Sequence, residues 1–141
     1  MNPLYRNDQP GAFPPSYYAA TADIPAERSA LTQDMRVDVA VVGAGFTGLS
    51  TALHAAQKGL NVAVIDAHRA GFGASGRNGG QAGSAWNQDQ VWLEKQVGFD
   101  DARKLWDLTV EAKALTRDLV GQHAPEAAYK PGIFQGCLLY T

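Results

Sequence analysis

The sequence predicts an α/β fold in which a Rossmann-like βαβ unit is followed by helices, and in which the parallel sheet is incomplete. Three observations carry this prediction. A β-branched run ends at the glycine-rich turn GAGFTG over residues 43–48, an amphipathic pattern follows it, and a second apolar run ends at Asp66. Together they occupy about 30 residues, the length of a βαβ unit. The two parallel strands that we predict, over residues 37–42 and 61–66, are fewer than a doubly wound sheet contains.

The first strand and the helix follow from the pattern of apolar residues. RVDVAVVGAG is apolar on both faces near its end, as a strand inside a parallel sheet should be. In FTGLSTALHAAQKG, one apolar stripe repeats at helical spacing, and Gly59 stands where a helix commonly ends. The stripe consists of Leu49, Ala52, Leu53 and Ala56. LNVAVID then supplies the second strand.

Two further helices are predicted after the βαβ unit. NQDQVWLEKQVG predicts a short helix, with Asn87 or Asp89 as its N-cap and Gly98 as its stop. Residues 100–123 predict a longer one, in which apolar residues recur at three or four positions and Trp106 belongs to the core. The segment AAYKPGIFQGCLLY predicts a strand interrupted by a Pro-Gly pair.

Residues 1–35 are predicted to form an arm outside this domain, which we assign to residues 36–141. The arm holds five of the seven prolines, which disfavour both helix and central strand. A disordered tail is the alternative, but aromatic residues are scarce in such tails. Because Phe13, Tyr17 and Tyr18 lie here, we expect the arm to pack on the domain.

Composition excludes several classes of protein. A chain of 141 residues with 45% hydrophobic and 18% charged residues is typical of one folded domain. Its net charge of −2 gives no basic field for nucleic acid. We expect no signal peptide, because the N-terminus has no basic region followed by an apolar stretch, and no membrane span, because no apolar run approaches about 18 residues. The single cysteine, Cys137, excludes a disulfide framework and a thiolate metal site, and suits a cytoplasmic protein.

The turn between the first strand and the helix predicts dinucleotide binding. Gly43 permits the tight turn, Gly45 leaves room for a pyrophosphate, and Gly48 lets the helix pack closely on the strand. The N-terminus of the helix offers unpaired N–H groups and a positive dipole to phosphates. Asp66, placed 18 residues beyond Gly48, can accept hydrogen bonds from ribose hydroxyls. The βαβ unit alone does not show whether the dinucleotide is NAD or FAD.

The segment GFGASGRNGGQ, residues 71–81, contains five glycines and a single charge at Arg77. One interpretation is a flexible linker. The other is a backbone surface that lies against a ligand, because glycines permit close approach and an arginine binds anionic oxygens.

Residues 38–81 resemble the N-terminal flavin-binding region of the D-amino-acid-oxidase-type FAD-dependent oxidoreductases. Within that family the sequence is most similar to the gamma-glutamylputrescine oxidase group, also at SYYAA (16–20) and YKPG (129–132). One departure is mild, since Asp66 stands where the family usually has Glu, and either acid can accept from ribose. The resemblance implies FAD rather than NAD.

The resemblance also implies roles for the glycine-rich segment. Ser75, Arg77 and Asn78 would hold phosphate and flavin-edge oxygens, with Arg77 serving the flavin rather than the fold, and residues 79–81 would pass beside the isoalloxazine. The complete set of expected FAD contacts is Gly43, Gly45, Phe46, Thr47, Gly48, Asp66, Ser75, Arg77, Asn78, Gly79, Gly80 and Gln81.

The activity that the resemblance implies is oxidation of a small-molecule amine or amino acid by hydride transfer to FAD. The family's substrate-facing residues come from a later part of a longer chain, so no catalytic residue is assigned. We therefore expect these 141 residues to be an inactive N-terminal piece. The alternatives are a non-catalytic module that binds NAD or FAD and an inactive truncated gene product; the sequence indicates no oligomeric state.

Four other residues have less specific interpretations. His54 and His68 are expected to be structural or exposed, and Arg69 to lie near the adenosine end or in solvent. Cys137 is expected to be a small buried hydrophobe or an exposed thiol.

Overall fold

The structure, a computed structural model, describes residues 6, 9 and 11–133. By chain contacts it divides into two compact units, Met1–Gly79 and Gly80–Thr141. The helices are α1 (Tyr17–Thr21), α2 (Phe46–Gln57), α3 (Gln90–Val97) and α4 (Phe99–His123), the strands are β1 (Val39–Val42) and β2 (Val62–Ile65), and short 3-10 turns cover Ala74–Gly76 and Pro125–Ala127.

The first unit contains the predicted βαβ arrangement. The strands β1 and β2 pair in parallel, with Val39 opposite Val62 and Val42 opposite Ile65. The pairing continues one residue further, where the N–H of Gly43 donates to the carbonyl of Ile65 at 2.8 Å. Both strands are shorter than predicted, and the described part of the chain contains this two-stranded sheet alone.

Helix α2 connects the two strands and begins directly after Gly45. It ends at Gln57, and the chain then turns through Gly59 at φ +82°, the conformation that glycine adopts after many helices. Its apolar stripe is only partly covered, because Ala52 is buried while Leu49 remains 44% exposed.

The N-terminal arm differs in part from its prediction. A five-residue helix, α1, forms inside it because the Ser16 side chain accepts a hydrogen bond from the N–H of Ala19. Phe13 packs on Phe72 with 5.4 Å between ring centroids, as expected of an arm that contacts the domain. The same expectation was wrong for Tyr17 and Tyr18, which are exposed and contact each other.

The second unit is built from the two predicted helices. Asp89 caps α3 by accepting from the N–H of Trp92, and Gly98 at φ +82° separates α3 from α4. Along α4 the buried positions are the small residues Ala102 and Thr109, seven positions apart. The prediction that Trp106 is a core residue was wrong, because this narrow buried stripe leaves it 39% exposed.

The segment predicted to form a C-terminal strand lies half outside the described residues, at 134–140, which include Cys137. Its described part, residues 127–133, contains no strand. Within the described ranges, none of the helices has the length and hydropathy needed to cross a bilayer.

Candidate functional site

Two clefts of about 480 Å³ each meet at the carboxyl ends of β1 and β2. This edge is where ligands bind in open α/β sheets. Val42 and Gly43 line both clefts. The first is completed by Val41, Gly45, Phe46, Thr47, Gly48, Thr51 and Ser75, and the second by Ile65, Asp66, Ala67, His68, Phe72 and Gly73. The structure thus brings seven of the twelve predicted site residues to one edge of the sheet.

The glycine turn has the backbone that the sequence predicts. Gly43 adopts φ +102°, a conformation that residues with a side chain rarely adopt. A Cβ atom on Gly48 would overlap the carbonyl oxygen of Gly43, so only glycine allows α2 to pack this closely on the turn. A Cβ atom on Gly45 would lie 2.9 Å from the Ser75 hydroxyl oxygen, closer than real Cβ contacts.

Ser75 links the glycine-rich segment to the N-terminus of α2. Its hydroxyl oxygen accepts a hydrogen bond of 2.9 Å from the N–H of Phe46, the first residue of the helix. The Asn78 amide donates to the carbonyls of Ala74 and Ser75, which fixes the end of the 3-10 turn that carries Ser75. Because the first N–H groups of a helix favour negative charge, this polar end of the first cleft suits a phosphate.

Asp66 joins the end of β2 to the glycine turn. Its Oδ2 atom accepts from the N–H of Ala44 at 2.6 Å, and its Oδ1 atom accepts from the N–H of His68 at 2.7 Å. The sequence predicted ribose binding for this acid and gave no sign of these backbone bonds. The carboxylate therefore orders the loop that lines the second cleft as well as lying in it.

Arg77 makes two contacts with the fold. Its Nε donates to the carbonyl of Phe72 at 2.8 Å, and its guanidinium carbon lies 4.7 Å from the centroid of the Phe72 ring. The sequence predicted a role for Arg77 at the flavin rather than in the fold. These contacts add a structural role, and flavin binding by Arg77 stays a prediction.

An aromatic cluster around Phe72 is the feature of the site that sequence reasoning missed. Phe72 is buried, and the His68 ring stacks on it at 4.0 Å with an interplanar angle of 2°. Arg69 binds the backbone carbonyl of Pro25 and lies 5.6 Å from the centroid of the Phe13 ring. The signal that could have indicated a cluster is the four-residue spacing of His68 and Phe72, together with the aromatic residues of the arm.

The remaining predicted contacts lie at the division between the two units. Gly79 is the last residue of the first unit, and Gly80 and Gln81 begin the second, with Gly80 at φ +67°. Their passage beside a flavin ring stays a prediction.

His54 bonds the carbonyl of Ser50 through Nδ1 at 2.7 Å, the structural role expected of it.

The family model for FAD dependent oxidoreductases matches residues 38–139 of this chain. The chain belongs to that family. The match confirms the resemblance seen in the sequence and selects FAD over NAD as the cofactor. In the described ranges, no three His, Cys, Asp or Glu residues lie close enough together to hold a metal ion.

Curated relatives agree with this assignment. The chain is 44% identical over 117 residues to gamma-glutamylputrescine oxidoreductase of Escherichia coli, and 40% identical over 117 residues to a probable oxidoreductase, OrdL, of Haemophilus influenzae. The matches cover 83% of this chain but 28% and 27% of those relatives, so the chain spans little more than a quarter of their length. A weaker relative, a putative Rieske iron-sulfur protein of Bacillus subtilis, is 25% identical over 130 residues. No solved structure matches the chain.

Proposed function

We propose that the two clefts at the ends of β1 and β2 bind FAD, and that the chain is the FAD-binding region of an enzyme that oxidises an amine or amino acid. One observation carries the proposal. Side chains from the segment after β2 converge on the turn after β1, where Asp66 bonds Ala44 and Ser75 bonds Phe46. The segment after β2 is polar and is fixed at both points against glycine backbone without side chains. This arrangement favours a binding surface for an anionic dinucleotide over a flexible linker.

The first cleft would hold the pyrophosphate. Here Gly43 and Gly45 present backbone without side chains, and the first turn of α2 offers the N–H groups of Thr47 and Gly48, since that of Phe46 binds Ser75. A hydroxyl can accept one hydrogen bond while donating another. Ser75 can therefore keep its bond from Phe46 and donate its own proton to a phosphate oxygen.

The second cleft would hold the ribose and adenine. An ionised carboxylate has about four lone-pair positions, and the bonds from Ala44 and His68 occupy one on each oxygen of Asp66. The side chain thus has the acceptor capacity to bind ribose hydroxyls without releasing the loop. The apolar surface of Val42, which is 81% exposed at the end of β1, would lie under the cofactor between the clefts.

Arg77 and residues 79–81 would act toward the flavin end. A guanidinium carries five N–H donors in a rigid plane, and its Nε–H binds the Phe72 carbonyl. We propose that the same side chain also binds an anionic oxygen of the cofactor, while Asn78 keeps the turn around Ser75 in place. Bound FAD supplies the hydride acceptor, and these residues bind and orient it.

The substrate part of the proposal comes from the relatives. The Escherichia coli relative is named for gamma-glutamylputrescine, an amine, and the chain shares 44% identity with it over the matched part. We propose an amine or amino acid as the substrate on this basis. No residue of this chain is proposed to act on it, so the isolated 141 residues should oxidise no amine.

A chimaera tests this function directly. The matched 117 residues of this chain replace the corresponding part of the Escherichia coli relative, and the same exchange carrying Gly45→Val is the control. We expect the first chimaera to purify with FAD and its flavin absorbance to bleach when gamma-glutamylputrescine is added, and we expect the control to lose FAD. A chimaera that folds cooperatively but neither retains FAD nor oxidises the amine would refute the proposal. A chimaera that retains FAD but does not oxidise the amine would refute the substrate part and favour a non-catalytic binding module.

A further inference from the structure

We propose that the segment 11–25 of the N-terminal arm is a functional part of the cofactor site. It would hold the cofactor loop, defined here as residues 66–78, in the conformation that receives the adenosine half of the dinucleotide. The inference rests on the proposed function for its ligand. The family match begins at residue 38, so it leaves the arm without any assigned role.

The arm contacts the cofactor loop at two points. Phe13 packs on Phe72 with ring centroids 5.4 Å apart and planes inclined at 45°. Arg69 reaches the arm twice, since it donates a hydrogen bond to the carbonyl of Pro25 and places its guanidinium carbon 5.6 Å from the Phe13 centroid. Phe13 and Pro25, near the two ends of this segment, therefore both contact the cofactor loop.

Phe72 is the residue through which these contacts act. It is 5% exposed, and it is the one large side chain among the buried apolar residues of the described chain. Phe13 covers it from the arm, while the His68 ring and the Arg77 guanidinium lie against it at 4.0 and 4.7 Å. Removing Phe13 would expose the part of Phe72 that it covers, and Phe72 is the ring against which the other two side chains pack.

From Phe72 the contacts continue to the groups proposed to bind FAD. The backbone N–H of His68 bonds Oδ1 of Asp66, whose Oδ2 bonds Ala44 in the glycine turn. The carbonyl of Phe72 holds Arg77. Phe72 and His68 themselves line the second cleft. Phe13 and Arg69 thus act as positioning residues: they touch the loop that forms the site and are not among the residues that line either cleft.

The experiment compares single variants of the 141-residue chain, expressed with a solubility partner. Phe13→Ala removes the arm contact, Phe13→Tyr keeps the ring, and Tyr17→Ala removes an aromatic of the same arm that is 75% exposed. Two quantities are measured: the Kd for FAD from quenching of flavin fluorescence, and the rate at which trypsin cleaves after Arg77 in the absence of FAD.

We expect Phe13→Ala to raise the Kd for FAD by between about twofold and tenfold, the range that loss of one aromatic pair corresponds to. Trypsin should cleave after Arg77 correspondingly faster, while Phe13→Tyr and Tyr17→Ala should resemble the parent in both measurements. Thermal unfolding is followed in parallel. An unchanged Kd and an unchanged cleavage rate in a folded Phe13→Ala variant would overturn the inference, and so would an equal effect of Tyr17→Ala.

If Phe13→Ala does not fold, the Arg69→Met variant tests the inference in its place. This exchange removes the bond to Pro25 and keeps a side chain of similar length. The same two measurements then apply, with the same expected directions. The test also separates this inference from the proposed function. A parent chain that binds no FAD would refute the function, whereas the cleavage rate after Arg77 would still show whether the arm holds the loop.

Discussion

The carboxylate of Asp66 accepts the backbone N–H of Ala44 at 2.6 Å, which ties the end of β2 to the turn that follows β1. Ala44 is bound on its other side too, because its carbonyl accepts the N–H of Gly71 at 2.9 Å. A single buried residue of the glycine turn is thus held by the acid at the end of β2 and by the loop beyond it. These two bonds hold the glycine turn against the segment after β2, part of which lines the second cleft.

Asp66→Asn should reduce both stability and FAD affinity. The amide keeps one acceptor oxygen but turns its NH₂ group toward a backbone N–H donor, which costs about 1–2 kcal/mol of unfolding free energy. Asp38→Asn is the matched control, because Asp38 also accepts a backbone N–H, from Asn61 at 2.8 Å, at the opposite end of the strands. Urea unfolding should show losses for both variants, and FAD titration a loss for Asp66→Asn alone. Equal FAD affinities in the two variants would contradict the site assignment.

Gly48→Ala should destabilise the first unit by at least about 2 kcal/mol, because the new Cβ atom would overlap backbone and no side chain can move aside. Gly121→Ala tests the same exchange inside α4, where nothing lies within 4 Å of the added atom. There the change should stabilise the helix by about 0.5–1 kcal/mol. Thermal and urea unfolding measure both. A Gly48→Ala protein as stable as the parent would show that the helix does not pack on the turn as described.

Arg77→Ala should lower the stability of the FAD-free protein and, in addition, its retention of FAD. The first loss follows from the bond to Phe72 and the contact with its ring, and the second from the proposed charge-assisted bond, typically about 1.5–3 kcal/mol. Arg103→Ala is a suitable control, since Arg103 makes an exposed ion pair with Asp107 on α4. Melting temperatures are compared with and without FAD. If the variant loses the same stability in both conditions, Arg77 serves the fold alone.

The parts of the fold that were predicted correctly are those encoded by local patterns. Local structure is specified by the β-branched run before Gly43, the helical stripe through Ala52 and the acid at Asp66. Together these patterns predict the βαβ unit that the structure contains. The positions of the glycines follow in the same way, because φ and close approach restrict them to a residue without a side chain.

The parts that were not predicted depend on contacts between residues far apart in sequence. Nothing near Phe13 in the chain indicates that its ring meets Phe72, and nothing near Arg69 indicates that it binds the carbonyl of Pro25. Helix α1 was missed because one serine cap outweighs the surrounding prolines. Trp106 was misplaced because periodicity marks a face of a helix but does not say how much of that face a partner covers.

FAD binding at the glycine turn is tested most directly by titrating FAD and NAD into the 141-residue chain and into its Gly45→Val variant. Flavin fluorescence and thermal shift measure the binding. At Gly45 an added side chain would meet Ser75 at the N-terminus of α2. Gly83→Ala is the control for a glycine exchange outside the clefts, because its added Cβ atom makes only ordinary contact. We expect saturable FAD binding to the parent and to Gly83→Ala, and weaker or absent binding of NAD. For Gly45→Val we expect a loss of at least about tenfold in FAD affinity, equivalent to about 1.4 kcal/mol. A folded parent chain that prefers NAD, or a Gly45→Val chain that binds FAD as tightly as the parent, would contradict FAD binding at the glycine turn.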